Sequence, residues 1–223
     1  MNQIKNYKIG VDVGGTFTDL VLSMPNSPLL VSKVPSTPSD PSQAVLNALE
    51  VTAIKLNQTV PNILKKTSLF VHGTTVGTNT ILEKKGANVG LVTSYGFRDS
   101  LEIRRGYRHD PWDHRTPYPD VIVPRYKRLP IKGRIDIDGK VVEKTSKKDL
   151  KNILNKFKSE NVESIAVCLF NSYISDINEK SVLSFIEKFT DFDWVSISSN
   201  LSPIIGEYER SSTVVLNAYV APR

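Results

Sequence analysis

A pair of glycines between two apolar runs constrains the fold of this chain more than any other sequence feature. Apolar residues alternate with small or charged ones over residues 7–13, and a second apolar run follows at 17–23. This alternation is typical of half-buried strands, and Gly14-Gly15 between them is a turn signal. The segment after the turn has strand character, and the turn has no lysine, so neither a Rossmann nor a Walker loop is indicated. The glycine pair therefore predicts an antiparallel hairpin.

The same turn carries the residue types of a phosphate-binding loop. Glycines allow positive φ and a close approach of a ligand to the backbone, and successive N–H groups in such a turn form a concave anion site. Asp12 offers a carboxylate that would hold a phosphate-bound metal through water. A purely structural turn is the alternative, and the glycines alone favour it. The predicted cofactor contacts are small and polar loop residues: Gly14, Gly15, Thr16, Thr18 and Asp19.

The first part of the chain predicts a regular order of elements. Three short apolar runs predict a strand meander, and Asp40 is a suitable N-cap for the helix that follows. A buried strand at 68–72, a helix at 76–85 and another strand at 87–93 come next. We expect these elements to form one α/β unit over residues 1–97.

A second group of polar residues follows the strand predicted at 68–72. His72, Thr74 and Thr75 lie at the carboxyl end of that strand and just before a helix, where open α/β sheets bind their ligands. Free N–H groups at a helix N-terminus favour an oxygen anion, and histidine carries protons. From these residues alone two interpretations stay open: a substrate-facing site, or helix capping by Thr75 beside a histidine satisfied by backbone groups.

The middle of the chain, residues 98–130, is basic and rich in proline and aromatic residues. Most of the net charge of +6 lies between Arg98 and Arg134. Such a segment suits single-stranded nucleic acid, an anionic substrate or the acidic face of a partner subunit. Nucleic acid is disfavoured because no nucleic-acid-binding motif is present. We expect an extended connection that lies against a neighbouring protein or forms a solvated loop.

Four potential metal ligands lie close together in this segment. Histidine and aspartate bind zinc or manganese, so a metal site is one interpretation. A solvated loop is favoured, because prolines prevent a helical i, i+4 pair and no cysteine or further histidine is near. The four residues are His109, Asp110, Asp113 and His114.

Residues 131–200 predict a small α/β insertion. The Asp-Gly pair at 138–139 is a hairpin turn signal, and Ser146 is a suitable N-cap for an amphipathic helix. A strand, a second helix and a second strand follow, and the two strands are expected to be parallel. One further helix is predicted within residues 201–223.

The composition indicates a folded domain without a membrane span. The 223 residues include 39% hydrophobic and 23% charged residues, and no apolar run is long enough to cross a bilayer. The first residues lack the apolar core of a signal peptide, so we expect a cytoplasmic location. Cys168, the single cysteine, lies in an apolar run and is predicted to be a core residue.

Six motifs together identify a family likeness. The first, Gly-Val-Asp-Val-Gly-Gly-Thr-Phe-Thr-Asp, contains the Asp-x-Gly-Gly-Thr pattern, which resembles the first phosphate loop of the actin and sugar-kinase superfamily. The six motifs occupy residues 10–19, 33–38, 71–79, 96–99, 166–169 and 207–213. In this order they resemble the hydantoinase A and 5-oxoprolinase family, which includes subunits of acetone and acetophenone carboxylases. The fold class that the resemblance implies is α/β: an actin-like (ribonuclease H-like) half-domain with a small α/β insertion.

The resemblance also implies an activity that depends on ATP and Mg²⁺. Family members activate the carbonyl of a small cyclic amide, or the enolate of a ketone, by phosphorylation. The implied substrate contacts are Gly73, Asn79 and Arg98. The implied catalytic residues are Asp12, which is also the metal ligand, His72 as hydrogen-bond donor or proton carrier, Thr74 and Thr75.

The chain has one glycine-rich phosphate loop, whereas enzymes of this superfamily bind ATP between two similar halves. The resemblance therefore implies an N-terminal half whose partner is a complementary C-terminal half or a partner subunit. Turnover by the chain alone is expected to be low. The alternatives are a non-catalytic interaction or remnant domain, and a fragment of a sugar- or acyl-kinase-like phosphotransferase.

Overall fold

The computed structural model describes residues 6–37, 40–106, 110, 112–113 and 115–223. They form a mixed α/β structure, as predicted, with two compact units, Met1–Lys84 and Lys85–Arg223. Each unit has its own main sheet of four strands. The predicted boundaries at residues 130 and 200 stay predictions.

The first unit is built on the predicted antiparallel meander. Its strands are β1 (Tyr7–Val13), β2 (Phe17–Ser23), β3 (Leu30–Pro35) and β4 (Thr67–Thr74). β1, β2 and β3 pair antiparallel, and β4 pairs with β1 in parallel, which gives the order β3-β2-β1-β4. The glycine turn thus joins two antiparallel strands, as the sequence predicts.

Three helices complete the first unit: α1 (Pro41–Lys55), α2 (Val60–Lys66) and α3 (Val76–Leu82). Asp40 caps α1 as predicted, and its carboxylate accepts a hydrogen bond from the N–H of Ser42 at 3.0 Å. α1 packs on β1, β2 and β3, and the apolar core lies between them. The sequence pattern did not predict α2, because its seven residues are too few to show a helical period.

The strand register sorts side chains onto two faces of this sheet. Val11 pairs with His72, while Asp12 pairs with Asp19 on one side and Gly73 on the other. Paired residues point to the same side of a sheet and successive residues alternate. Val11 is buried in the core beneath α1, so Asp12 points to the opposite face. We call that face the open face. It comprises Lys8, Gly10, Asp12, Phe17, Asp19, Val21, Val31, Lys33, Leu69, Val71 and Gly73, all exposed or half-buried.

β4 is an exposed edge strand, so the prediction of a buried strand at 68–72 is wrong. Every residue from Ser68 to Thr74 is exposed, and Leu69, Phe70 and Val71 are 49%, 42% and 52% exposed. The physical reason is position, because β4 lies at the sheet edge, beyond the three strands on which α1 packs. An apolar run predicts a strand but does not reveal which layers cover it.

The second unit contains a parallel sheet. In chain order its strands are β5 (Val89–Ser94), β6 (Arg128–Ile131), β7 (Arg134–Ile135), β8 (Val141–Glu143), β9 (Ser164–Cys168) and β10 (Trp194–Ile197). The main sheet has the order β10-β9-β5-β6, and β7 and β8 form the predicted hairpin. The sequence pattern groups β5 with the meander, which is wrong. All six residues of β5 are buried, and its two neighbours, β6 and β9, both come later in the chain.

The described residues of the second unit form the helices α4 (Ser100–Ile103), α5 (Lys147–Ser159), α6 (Ile177–Phe189), α7 (Ser198–Leu201) and α8 (Glu207–Val220). α5 and α6 cover one face of the parallel sheet, and α8 covers the other. Ser146 caps α5 as predicted, accepting a hydrogen bond from the Asp149 N–H at 3.2 Å. In the described part of the chain, no helix is both long and apolar enough to span a membrane.

The basic segment predicted to be extended is partly ordered by ion pairs. It contains α4, a 3-10 turn at Arg125–Lys127 and the start of β6. Asp99 accepts two hydrogen bonds from the Arg125 guanidinium, at 2.9 and 3.1 Å, and Glu102 pairs with the buried Arg128. These contacts use basic side chains within the unit, which periodicity cannot reveal.

Candidate functional site

Two hydroxyl groups brace the glycine turn between β1 and β2. The Ser36 hydroxyl donates to the Gly14 carbonyl (2.7 Å) and lies 2.9 Å from the Thr18 hydroxyl. The Ser36 N–H donates to the Thr16 carbonyl (2.9 Å). We call Thr18 and Ser36 the hydroxyl brace. Thr18 is fully buried, so the prediction that it contacts a cofactor does not fit its position. Sequence reasoning missed Ser36, and its only signal was its place in the 33–38 motif.

The reason for glycine in this turn differs from the predicted one. Neither Gly14 nor Gly15 has a positive φ. A Cβ atom on Gly14 would lie 2.9 Å from the Phe17 carbonyl oxygen, and one on Gly15 would lie 3.2 Å from Asn79 Nδ2. Such contacts are tighter than ordinary van der Waals packing allows. The close approach of neighbouring groups, and not backbone strain, therefore explains both glycines.

The tip of the turn presents free backbone donors. Gly15 and Thr16 are exposed, and no described group accepts a hydrogen bond from either N–H. The Gly14 N–H, in contrast, donates to the Phe17 carbonyl at 3.0 Å. Backbone donors at an exposed turn can bind anion oxygens. Among the described residues of the turn, the N–H groups of Gly15 and Thr16 are thus available to an anion, whereas that of Gly14 is used within the turn.

Asp12 offers an accessible carboxylate on the open face. It is exposed, and no side chain in the described ranges pairs with it. A Cβ on Gly73 would lie 3.7 Å from Asp12 Oδ1, so the glycine leaves one side of the carboxylate uncovered. Asp19 lies directly opposite and pairs with Lys33 Nζ at 3.3 Å. Two carboxylates in register repel each other, and carboxylate oxygens are the ligands that Mg²⁺ prefers. The donor set therefore fits a magnesium ion.

The segment after β4 is tied to β1 beside the glycine turn. The Thr75 N–H donates to the Val13 carbonyl (3.3 Å), and Asn79 Nδ2 donates to the Thr75 hydroxyl (3.2 Å). Thr74, not Thr75, accepts a hydrogen bond from the Val76 N–H, at 3.2 Å, and Thr75 forms no side-chain cap. Thr75 thus occupies the N-cap position of α3, but its side chain makes no capping hydrogen bond. Thr75 and Asn79 instead connect the start of α3 to the turn.

His72 is separated from Asp12 by the sheet itself. It pairs with Val11, whose side chain is buried in the core, and so it points to the face opposite Asp12. Its side chain is exposed. The structure thus brings Asp12, Gly73, Asn79 and the turn together, and leaves the His72 side chain apart from them. A proton-carrying role for His72 stays a prediction.

Arg98, a predicted substrate contact, belongs to the second unit. Its Nη2 donates to the Arg125 carbonyl at 2.9 Å, and its Nε is buried without a partner among the described residues. Its neighbour Asp99 has a pKa lowered by the hydrogen bond from Arg125. These contacts give Arg98 a structural place in the segment, and a substrate role stays a prediction.

A buried charge cluster lies where β9 and β10 end. Glu179 is fully buried, and its carboxylate accepts hydrogen bonds from the N–H groups of Leu169 and Ser199 (both 2.8 Å) and the hydroxyls of Ser172 and Ser198 (both 2.7 Å). These four donors fully satisfy the carboxylate. Its neighbours belong to the fold of the second unit, which indicates a structural role. The sequence pattern gave no sign of Glu179, because its polar partners are distant in sequence.

Arg210 completes this cluster from α8. It is fully buried, donates to the Ser172 hydroxyl at 2.8 Å and lies 3.3 Å from Glu207 Oε2. Burial raises the pKa of Glu207, and the positive charge of Arg210 opposes that shift. Burial also raises the pKa of the Cys168 thiol to about 12. Cys168 is thus the inert core residue that the sequence predicts.

Part of the histidine and aspartate cluster of the basic segment, namely His109 and His114, lies outside the described residues. Asp110 accepts a hydrogen bond from the Trp112 N–H, and Asp113 accepts one from the Arg115 N–H, both at 2.9 Å. Over the described ranges there is no group of three or more His, Cys, Asp or Glu that could hold a metal ion. The metal interpretation of the whole cluster stays a prediction.

Comparison with known proteins gives the family. The sequence profile of the hydantoinase/oxoprolinase N-terminal region matches residues 8–190. The chain belongs to this family. This hydantoinase/oxoprolinase N-terminal region is 34% identical over 220 residues to the caprolactamase α subunit of Pseudomonas jessenii, covering 98% of this chain and 32% of that subunit. It is 32% identical over 234 residues to the acetophenone carboxylase γ subunit of Aromatoleum aromaticum, again covering 98% and 32%.

A solved relative shows the same fold. The crystal structure of ATP-dependent caprolactamase from Pseudomonas jessenii matches this hydantoinase/oxoprolinase region with a TM-score of 0.82 and 34% identity, over 96% of this chain and 31% of that chain. The chain therefore spans about a third of the length of these relatives. The resemblance to the hydantoinase A and 5-oxoprolinase family, which the six motifs indicate, is confirmed.

Proposed function

We propose that this chain supplies one phosphate-binding half of an ATP-dependent enzyme that activates a cyclic amide or a ketone. The observation that carries the proposal is the grouping of Asp12, Asn79 and the two free N–H groups of the turn at the end of β1. The Pseudomonas jessenii relative is an ATP-dependent caprolactamase, and caprolactam is a cyclic amide. The likeness of the turn to actin-type phosphate loops supports an actin-like description of the first unit.

Each residue of the site has a proposed task. When bound, ATP supplies the phosphoryl group that activates a carbonyl or enolate oxygen, and Mg²⁺ offsets the phosphate charge. The N–H groups of Gly15 and Thr16 would donate to phosphate oxygens. Asp12 would hold magnesium through water, and Gly73 keeps its carboxylate uncovered. Asn79 lies close beside Gly15, and this contact would hold the two backbone N–H donors in position.

The proposal includes dependence on a further polypeptide. This chain spans about a third of the caprolactamase α subunit and of the acetophenone carboxylase γ subunit. We therefore propose that turnover needs the rest of the family architecture, either from the same polypeptide or from a partner subunit. Arg98 is kept as a proposed substrate contact. His72, on the sheet face opposite Asp12, is kept as a proposed hydrogen-bond donor or proton carrier.

Gly15→Val tests the phosphate-binding assignment. Valine would fill the space next to Asn79 and obstruct the two donors, so we expect the affinity for Mg·ATP to fall at least about tenfold in isothermal titration calorimetry. Gly10→Val is the matched control. It places the same side chain on β1, where an added Cβ meets no heavy atom within 4 Å, and we expect wild-type affinity.

Two results would contradict the proposal. One is the absence of Mg·ATP binding by the wild-type chain in calorimetry. The other is equal affinity of the Gly15→Val variant and the wild-type chain, which would mean that the turn does not contact phosphate.

A further inference from the structure

An arginine and two phenylalanines meet beyond the carboxyl ends of three strands of the second unit. Phe97 follows β5, Arg134 follows β6 and Phe170 follows β9. The two rings are stacked with their centroids 4.7 Å apart. The guanidinium carbon of Arg134 lies 5.1 Å from the Phe170 centroid and 5.9 Å from the Phe97 centroid, within the range of cation–π attraction. We call Phe97, Arg134 and Phe170 the arginine–phenylalanine cluster.

The cluster lies where the strand order of the second sheet reverses. β5 pairs in parallel with β6 on one side and with β9 on the other. The chain passes from β5 to β6, and then crosses to β9 on the opposite side of β5. Open α/β sheets bind their ligands beyond the carboxyl ends of the strands at such a reversal. The topology therefore places the cluster at the usual ligand position of this kind of sheet.

A buried hydroxyl holds two members of the cluster in place. Ser94 is the last residue of β5 and is 1% exposed. Its hydroxyl donates to the Gly133 carbonyl (2.8 Å) and accepts a hydrogen bond from the Phe170 N–H (2.9 Å). Arg134 and Phe170 also form a parallel β-bridge. The backbones that carry the guanidinium and the ring are thus fixed within the fold, which lowers the cost of ordering them around a ligand.

Arg134 forms no ion pair in the described part of the chain. It is exposed, and its only described hydrogen bond runs from Nη2 to the Tyr95 carbonyl at 3.3 Å. Glu143 lies opposite Arg134 in the hairpin, but it accepts a hydrogen bond from the Gly133 N–H (3.3 Å) and lies 3.8 Å from Lys132 Nζ. Other arginines of this unit do pair with carboxylates: Arg105, Arg115, Arg125, Arg128, Arg210 and Arg223.

We propose that the arginine–phenylalanine cluster binds a small carboxylate that carries a flat ring. The donors of a guanidinium match the two oxygens of a carboxylate, and its single positive charge matches the single negative charge. The two phenyl rings supply the apolar contact for the body of the ligand. The inference goes beyond the proposed function, because this site uses residues of the second unit and needs no nucleotide.

Benzoate and benzamide are the matched probes for this site. They have the same shape, and only benzoate carries the charge that Arg134 would pair with. The full chain is titrated without ATP or Mg²⁺ at constant ionic strength, and amide shifts are followed by NMR. We expect saturable shifts of Phe97, Arg134 and Phe170 with benzoate, and an affinity for benzamide at least about tenfold lower.

Charge-removing variants on one hairpin separate the guanidinium from the general field of the protein. Arg134→Gln is expected to lower the affinity for benzoate at least about tenfold. Arg134→Lys keeps the charge but loses the paired donors, so its affinity is expected to fall between those of Arg134→Gln and the wild-type chain. Lys140→Gln is the control, because it removes one exposed positive charge between β7 and β8. We expect it to bind benzoate with wild-type affinity.

Four outcomes would overturn the inference. They are the absence of saturable benzoate binding by the wild-type chain, equal affinities for benzoate and benzamide, equal weakening by Lys140→Gln and Arg134→Gln, and inorganic phosphate that binds as tightly as benzoate. The first, second and fourth are measured on the wild-type chain, so they decide the matter even where a variant does not fold. Because no nucleotide is present, failure here is distinguishable from failure of Mg·ATP binding at the glycine turn.

Discussion

β4 in the first unit and β5 in the second unit have similar apolar sequences and opposite environments. β4 contains Leu69, Phe70 and Val71 and is exposed, whereas all six residues of β5 are buried. The second sheet has helices on both faces, as parallel sheets require, while α1 packs on only one face of the first. Composition decides that both segments become strands. The layers around them decide which one is buried in a core and which one stays exposed.

Charged groups differ between the units in the same way. In the second unit, Glu179 and Arg210 are fully buried and hydrogen-bonded within the fold. In the first unit, Asp12 is exposed on the open face without a partner in the described ranges. A buried charge that is hydrogen-bonded within the fold serves the structure, whereas an exposed and unpaired carboxylate next to free N–H groups is available to a ligand.

The largest expected effect uses one phenylalanine from each unit. Phe157 is fully buried against the second sheet, and Phe70 is 42% exposed on β4. Phe157→Ala leaves a cavity and is expected to lower the free energy of unfolding by about 3–5 kcal/mol. Phe70→Ala is expected to lower it by less than about 1 kcal/mol. Urea unfolding of the two variants measures the difference. Similar losses of unfolding free energy would contradict the contrast between the buried and the exposed phenylalanine.

A glycine from each unit gives a smaller effect. A Cβ on Gly90 would lie 2.7 Å from the Phe157 ring, whereas one on Gly10 meets nothing within 4 Å. Gly90→Ala is expected to destabilise by about 1–3 kcal/mol through overpacking. Gly10→Ala is expected to be neutral or to stabilise by up to about 1 kcal/mol. Thermal unfolding compares the pair, and a stabilised Gly90→Ala would contradict the close contact.

The smallest expected effect concerns pH and sharpens the contrast between buried and exposed charge. Burial raises the pKa of Glu207, so its folded form binds the proton more tightly and the free energy of unfolding falls as pH rises through the raised pKa. The hydrogen bond from Arg105 lowers the pKa of Glu209, whose contribution is instead lost as pH falls through its lowered pKa. Melting temperatures from pH 3 to 8 measure both dependences.

Glutamine variants separate these two carboxyl groups. Glu207→Gln is expected to reduce the decline of stability above the usual glutamate pKa. Glu209→Gln is expected to reduce the decline at acid pH, because it removes a group that is stabilising only when ionised. If both variants changed the melting temperature over the same pH range, burial of Glu207 would not control its ionisation.

Local sequence signals predicted the elements that depend on local interactions. The meander, the Asp40 cap of α1 and the Ser146 cap of α5 all follow from alternation or from a capping residue next to its helix. The exposure of β4 and the membership of β5 in the second sheet were not predictable this way. Both depend on which distant segments pair with each strand, and a single sequence does not reveal those pairings.

The candidate site also contains features that the local sequence predicts and features that depend on distant pairings. Asp12, Gly15 and Asn79 were predicted from a motif, and the structure groups them at the end of β1. The position of His72 on the other face requires the strand register. Thr18 shows what a motif does not reveal. A threonine matches the motif equally well whether its hydroxyl faces a ligand or the core. Burial alone distinguishes the two.

The hydroxyl brace also links the shape of the glycine turn to the register of a distant strand. Ser36 follows the last residue of β3 and reaches the Gly14 carbonyl only when β3 pairs with β2 in the observed register. A slip by one residue turns every side chain of a strand to the opposite face. The brace therefore cannot form on a misaligned meander. The turn has its observed hydrogen bonds only when β3 pairs with β2 in this register.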